Sequence, residues 1–288
     1  MWQKNVCIVG LGLMGGSLAR ALRPFLTHLT VVDNNPATLL AANALADTVT
    51  DDLAEGIRDA NLVILAVPVR TILHLLTELP RLKPDGCLLL DMGSTKTDIC
   101  AAMESLPESF QAVGGHPMCG KEVAGFAAAV PDLYDGQTFI LCRNGRTTAV
   151  IEQVALELLA LIGAQPLLLP PQRHDQLVAA ISHLPYLVST ILLQQAVALA
   201  DEQIWPVSAS GFRDASRLAG SDPAMMLDIL VTNKTAVLTR LLDYQTKLAA
   251  LIDLLATDDE PGLEIFLKEM QTQHRLYRRT KESRWWQK

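Results

Sequence analysis

The chain has 288 residues, 50% of them hydrophobic and 19% charged, with a formal net charge of −7. Those proportions exclude a disordered chain and leave room for two domains with substantial cores. The acidic balance speaks for neither nucleic acid nor an anionic membrane surface as a partner.

The first element is the apolar run Val6–Val9, suited to a strand buried on both faces. Gly10, Gly12 and Gly15 follow it in the spacing G-x-G-x-x-G, ahead of a helix-forming segment, Ser17–Leu22. Gly10 permits the tight turn, Gly12 lets a pyrophosphate reach the backbone, and Gly15 lets helix and strand pack closely. The helix start offers unpaired N–H groups and a positive dipole end to phosphates, so Leu13 and Met14 join the three glycines as expected cofactor contacts. A second run, Leu29–Val32, ends in Asp33, placed to accept from ribose hydroxyls and to repel a 2′-phosphate. That predicts NAD rather than NADP; Arg23, the nearest upstream cation, falls in the first helix. The plain alternative is a glycine-rich turn and a chance Asp, but the order strand, loop, helix, strand, Asp favours the dinucleotide reading.

Ala37–Ala46 then predicts a helix and Asn61–Val67 a strand. Pro68–Leu79 reads as a helix started by proline in its first turn. Gly86–Asp91 reads as a strand, Ser94–Met103 as a helix capped by Ser94, and Phe110–Gly114 as a strand. Thr138–Cys142 and Gln165–Leu169 read as the last strands, flanking a helix over Thr147–Ile162. The alternation predicts an α/β domain over residues 1–170, a mostly parallel, doubly wound sheet of Rossmann type. Ligands of such sheets lie at the strands' carboxyl ends, which selects the residues after Val9, Val67, Asp91 and Gly114; Val67 and Pro68 are counted with the cofactor contacts.

After Gln172 no strand-like run remains. Asp175–Ala200, Pro223–Ala256 and Pro261–Arg278 carry apolar residues at helical spacing, with Asp201–Asp222 as a loop. Residues 171–288 are therefore predicted to be all helical. Leu187, Ile191, Leu238, Leu242, Leu248, Leu251 and Leu255 are more apolar than a free monomer needs and predict the core of a homodimer. The run Leu177–Ala200 contains Ser182, His183, Pro185, Gln194 and Gln195 and reads as a buried helix rather than a lipid span. The tail Arg275–Lys288, with Trp285 and Trp286, reads as a packing or frayed end. Cys7, Cys87, Cys100, Cys119 and Cys142 form no C-x-x-C pair, so no metal is expected and reduced thiols in a cytoplasmic protein are. Met1 leads at once into a strand, so no leader is expected.

Three segments carry polar chemistry. Asp91–Lys96, DMGSTK, follows a strand and is either a helix start or a polar shelf near the cofactor, with Ser94 its candidate contact. Gly114–Gly120, GGHPMCG, sets His116 among glycines and a proline, where a neutral imidazole can accept a substrate hydroxyl's proton as hydride leaves the same centre. A structural histidine is the plain alternative. The third is the pair ISHLP and SGFRDASR. His183 precedes Pro185 and either bonds a freed carbonyl or faces a ligand. Arg213 and Arg217, four apart, share a helix face that needs anions, either Asp214 and Asp222 or substrate carboxylates.

Together the glycine loop, D-x-x-S-x-K, GGHPMCG, His174-Asp175-Gln176, ISHLP and SGFRDASR with SDP behind it resemble the TyrA family, the prephenate, arogenate or cyclohexadienyl dehydrogenases of tyrosine biosynthesis. The likeness runs through nearly the whole chain. It implies an aromatic amino acid biosynthetic enzyme that uses NAD to oxidise and decarboxylate a cyclohexadienol with a ring carboxylate and a 4-hydroxyl. By position, His116 corresponds to the family histidine that bonds the 4-hydroxyl, and Ser94 to the serine contacting that hydroxyl or the nicotinamide. Arg217 corresponds to a carboxylate-binding arginine, with Arg213 a second cation. His183 matches a pocket histidine and Glu122 a pocket acid. The family's ACT and chorismate mutase domains are not expected here. Prephenate, arogenate or both remain open as substrate. A 3-hydroxyacid dehydrogenase and a pyrroline-5-carboxylate reductase are alternatives not expected to carry GGHPMCG together with SGFRDASR; a non-catalytic dinucleotide sensor is a third, to which loss of His116 or Arg217 would point, and both are present.

Overall fold

The computed structural model describes residues 5–121 and 123–285. In chain order the sheet half comprises β1 (Asn5–Val9), α1 (Leu13–Leu22), β2 (His28–Val32), α2 (Pro36–Ala42), β3 (Thr48–Thr50), α3 (Leu53–Ile57), β4 (Leu62–Leu65), α4 (Val69–Leu82), β5 (Leu88–Asp91), α5 (Thr97–Glu104), β6 (Gln111–Pro117), β7 (Thr138–Cys142), α6 (Ala149–Leu161) and β8 (Gln165–Leu168). Eight strands form one sheet in the order β3-β2-β1-β4-β5-β6-β7-β8. Every neighbouring pair is parallel except β6 with β7. The order reverses at β1, so the crevice outside its carboxyl end is the ligand position of a doubly wound sheet. Two cores lie on the two faces. Ile8, Leu18, Leu29, Ile64, Leu141 and Leu158 belong to one, and Cys7, Val63, Ile72, Leu89 and Ile99 to the other. Alternate residues of one strand serve opposite faces, as a strand period of two requires.

Some boundaries differ from the sequence reading. The helix expected over Ala37–Ala46 stops at Ala42, because Leu45 and Ala46 both turn back to the Ala42 carbonyl. That turn delivers Asp47 to the amide of Leu29 (2.8 Å) and to Arg23 (2.8 Å), and the unexpected edge strand β3 and short α3 follow. Arg23 stands just past α1, engaged by this acid. Pro68 is the residue before α4 rather than its first member.

The helical elements are α7 (Pro171–Val178), a π turn (Ala179–His183), α8 (Leu184–Ala198), α9 (Ile204–Val207), α10 (Ser210–Ser216), a 3-10 turn (Arg217–Gly220), α11 (Pro223–Thr232), α12 (Lys234–Ala256) and α13 (Glu260–Trp285). The segment expected as a loop, Asp201–Asp222, thus holds two short helices and a turn. The helix expected over Pro223–Ala256 is broken at Asn233, whose side chain is drawn inward by the contacts described below. By compactness the chain divides into a unit ending at Ala236 and one beginning at Val237, so α7 to α11 pack in the same unit as the sheet. The second unit consists of the remainder of α12 and α13. It displays Leu238, Leu242, Leu248, Leu255, Ile265, Leu267 and Leu276 to solvent. Ile191 on α8 is exposed as well, while Leu187 and Leu251 are half-buried.

The continuous helical run Pro171–Ala198 contains an 18-residue window of mean hydropathy 1.6, long and apolar enough to cross a membrane by composition, so its polar residues do not by themselves exclude a span. In the fold, His174, Asp175, His183 and Ser189 of this run are buried, and all four hydrogen-bond within the first unit.

Candidate active site

The glycine loop has the shape its spacing implies. Gly10 has φ +93°, and a Cβ there would meet the Ala66 carbonyl oxygen at 2.6 Å and Val67 Cγ1 at 2.5 Å. A Cβ on Gly15 would lie 1.9 Å from the Gly10 oxygen, so α1 rests on the turn only because Gly15 lacks one. Nothing lies within 4 Å of a Cβ on Gly12; that glycine faces open space, as a cradle for a phosphate requires. α1 begins without a side-chain cap or an acidic residue in its first turn. Helix geometry leaves the N–H groups of Leu13, Met14 and Gly15 without intrahelical acceptors, a setting suited to an anion. Asp33 accepts from Leu11 N (2.6 Å) through Oδ2 and from Asn35 N (2.9 Å) through Oδ1. Each oxygen keeps a second lone pair, so the carboxylate can still take a ribose hydroxyl. The chain's residues therefore fit a dinucleotide, with Val67 against Gly10 just past the end of β4 and Pro68 next in the chain.

Two strands away, Asp91 ends β5. It is fully buried and accepts from Gly93 N (2.8 Å), from Gly115 N (3.0 Å) and from the buried Lys96 ammonium. A buried lysine is tolerable only with such a partner. The pair ties the DMGSTK turn to β6, and it leaves Ser94 partly exposed, its hydroxyl making no hydrogen bond among the described residues. Ser94 does not cap α5, contrary to expectation. The helix starts three residues later, and the Asp175 carboxylate caps it from a distance, accepting from Lys96 N (2.8 Å) and Thr97 N (2.9 Å).

His116 also differs from its expected setting. It lies within β6 rather than on a loop, opposite Ile140 of the antiparallel β7 and three residues past Val113, which pairs with Leu90. The strand thus carries it beyond the parallel sheet's carboxyl edge. Its Nδ1 lies 2.7 Å from Nε2 of His174, and Nδ1 of His174 lies 2.7 Å from Oδ1 of Asp175. The Asp175 carbonyl accepts from Asn233 Nδ2 (2.8 Å), which also faces Nδ1 of His183 at 3.3 Å. His183 is therefore held by an amide side chain, not by a helix carbonyl freed at Pro185. Thr232 donates to the Asp228 carbonyl (2.8 Å) and so accepts from Thr95 (2.9 Å), a further link between the shelf and α11.

Burial holds the His116 imidazole well below the ordinary histidine value, and His174, Lys96 and His183 add to the effect. Burial likewise lowers His183 to about 4, against the opposing pull of Asp175. For Asp175, burial pushes upward, but the hydrogen bonds from His174, Thr97 and Lys96 outweigh it and the net shift is downward. The site therefore holds neutral imidazoles beside an ionised carboxylate at neutral pH.

The arginines lie on the short elements between α8 and α11. Arg213, on α10, is exposed and pairs with Asp214 at 3.2 Å. Arg217 is exposed and opens the 3-10 turn, because α10 ends at Ser216; one continuous helix face for the two is not formed. That turn is fastened to α8 by Ala219 N donating to Ser189 Oγ (3.1 Å), on the helix that follows His183. Glu122 lies outside the described residues. His174, Asp175 and Asn233 were assigned no role from the sequence; the one available signal was the adjacent His-Asp pair opening a helix behind Pro170-Pro171.

A dinucleotide cradle after β1 and a neutral histidine on β6 of the same sheet meet the needs of hydride transfer from an alcohol, and the class they define is a dinucleotide-dependent oxidoreductase. The family model for the nucleotide-binding domain of prephenate dehydrogenase matches residues 18–168, and that for its dimerization domain matches residues 170–269. Prephenate dehydrogenase of Bacillus subtilis is 33% identical over 274 residues, 92% of this chain and 73% of that protein. The crystal structure of prephenate dehydrogenase from Aquifex aeolicus, in complex with hydroxyphenyl propionate and NAD+, is similar with a TM-score of 0.88 at 28% identity, covering 96% of this chain and 99% of that one. Synechocystis arogenate dehydrogenase gives 0.81 at 31% identity, over 95% and 99%. The chain belongs to the prephenate dehydrogenase family.

Proposed function

We propose that the chain oxidises and decarboxylates prephenate with NAD, giving 4-hydroxyphenylpyruvate for tyrosine biosynthesis, and that arogenate is the alternative substrate. The observation that carries this reading is His116, neutral and projecting past the sheet edge that also bears the glycine loop. Bound NAD supplies a hydride acceptor. Gly10, Gly12, Leu13, Met14 and Gly15 hold its phosphates, Asp33 its ribose hydroxyls, and Val67 and Pro68 flank it. His116 Nε2 takes the 4-hydroxyl proton as that bond's electron pair forms the carbonyl and hydride departs from C4. The carboxylate's C–C bond then breaks, its electron pair enters the ring, and the phenolic oxygen takes the proton back from His116, so carbon dioxide leaves without net proton release. Ser94 orients the same hydroxyl. Arg217 binds a substrate carboxylate, with Arg213 as second cation; His183 lines the pocket and Glu122 is assigned to its acid.

Residues 1–170 are the dinucleotide-binding half, and residues 171–288 bind substrate and dimerise. The exposed apolar residues of α12 and α13 and the family's dimerization domain support a homodimer. Five free cysteines fit a cytoplasmic location. The test crosses prephenate and arogenate with NAD and NADP, following nicotinamide absorbance. Reduction of NAD by prephenate is the expected result. Reduction by arogenate alone selects the second substrate, and binding of NAD without reduction by either overturns the reading.

A further inference from the structure

The Asp175–His174–His116 series has no part in the reading so far beyond supporting its last member. We propose that His174 and Asp175 are positioning residues, which hold His116 as the Nδ1–H tautomer and so leave the Nε2 lone pair to receive the substrate's proton. The proposal rests on His116 being the proton acceptor.

The Asp175 end of the series fixes where the protons lie. Asp175 is ionised and can only accept, and its oxygens already take the amides of Lys96 and Thr97. The ring nitrogen 2.7 Å from its Oδ1, Nδ1 of His174, therefore carries a proton. A neutral imidazole has one such proton, so Nε2 of His174 is a lone pair. It faces Nδ1 of His116 at 2.7 Å. Two lone pairs do not meet at that distance, so His116 donates from Nδ1. Its Nε2 then bears no proton and is a base.

The competing arrangement protonates His174 twice. It reverses the link: His116 would accept at Nδ1, carry its proton on Nε2, and be unable to take one from substrate. The surroundings oppose it. His174 is fully buried. The charged and titratable groups facing His116 are His174 from α7, the Lys96 cation ahead of α5, and His183 from the π turn. His183 accepts from Asn233 at Nδ1 and is neutral. A second interior cation near Lys96 is disfavoured, and the single charge of Asp175 is already shared by three donors.

The same carboxylate caps α5 and orients His174, so one residue of α7 aligns the Ser94 turn and the His116 ring together. An Asp175 substitution would uncap α5 as well, so the informative position is His174. Leucine there removes the acceptor; glutamine returns one through its amide oxygen. Relative to the wild type, His174→Leu should lower kcat about 100-fold with unchanged NAD affinity, and His174→Gln should recover at least about tenfold of that loss. The independent readout is nitrogen-15 NMR of the full-length, histidine-labelled protein with NAD bound, the His116 signals being assigned by their loss in His116→Asn. Protonation at Nδ1 and not at Nε2 is expected, with mixed tautomers in His174→Leu. A wild-type His116 protonated at Nε2, or His174→Leu with wild-type kcat, overturns the proposal. Full activity in His116→Asn would instead overturn the acceptor reading, whichever tautomer the spectra report.

Discussion

The cofactor cradle and the histidine series lie along one edge of one sheet, yet they are built in opposite ways. The cradle is local. Gly10, Gly12, Gly15 and Asp33 fall within 24 residues, and the glycines act sterically, through a missing Cβ, a positive φ and an open space. The histidine series is assembled from β6, α7 and the start of α5, with 58 residues between His116 and His174 and 79 between Lys96 and Asp175. Its effects are electrostatic and depend on which atom holds a proton. On the roles proposed above, phosphate binding is encoded in one loop, whereas the proton acceptor needs partners brought from elsewhere in the fold.

Substitutions can sharpen or break that contrast. The largest stability effect is expected inside the cradle. Gly15→Ala drives a Cβ into the Gly10 carbonyl and should cost about 3 kcal/mol in a denaturant titration, an overpacking penalty at backbone that cannot move aside. Gly12→Ala, facing open space, should leave stability within about 0.5 kcal/mol and weaken NAD binding at least about tenfold. Equal behaviour of the two would erase the distinction between a glycine kept for packing and one kept for the ligand.

Acid should act on the other region. Burial holds the folded-state His183 at about 4, against 6.5 unperturbed, so between those pH values the unfolded chain binds more protons and stability falls as pH falls. The loss on passing from pH 6.5 to 4 should approach about 3 kcal/mol from this residue. His183→Gln should flatten that part of the stability-against-pH curve, and an unchanged slope would contradict the burial account. A further effect is expected at Arg217→Ala. It should raise the KM for the carboxylate substrate about 30-fold with kcat within about threefold, as loss of an anchoring cation does. A drop in kcat alone would move Arg217 from anchoring to chemistry.

The contrast also marks what the sequence could disclose. The sheet, its glycine turn and Asp33 were legible because each element's pattern is completed by its own neighbours. His116 was legible as a residue but misplaced onto a loop, since β6 continues past its apolar stretch by pairing with β7, and a strand through GGHP has no hydrophobic signature. Ser94 looked like a cap because Ser before a helix usually is one. The true cap, Asp175, comes from another segment, and spacing cannot announce that. Asn233 was hidden for the same reason: its break in the predicted long helix exists to reach Asp175 and His183.

On the proposed reading, His116 carries the proton transfer and the cradle carries the cofactor, separably. The most direct measurement is prephenate turnover by His116→Asn with NAD affinity determined on the same preparation. A fall in kcat of about 1,000-fold with NAD affinity unchanged is predicted. Near-normal turnover, or loss of NAD binding in step with activity, would contradict it.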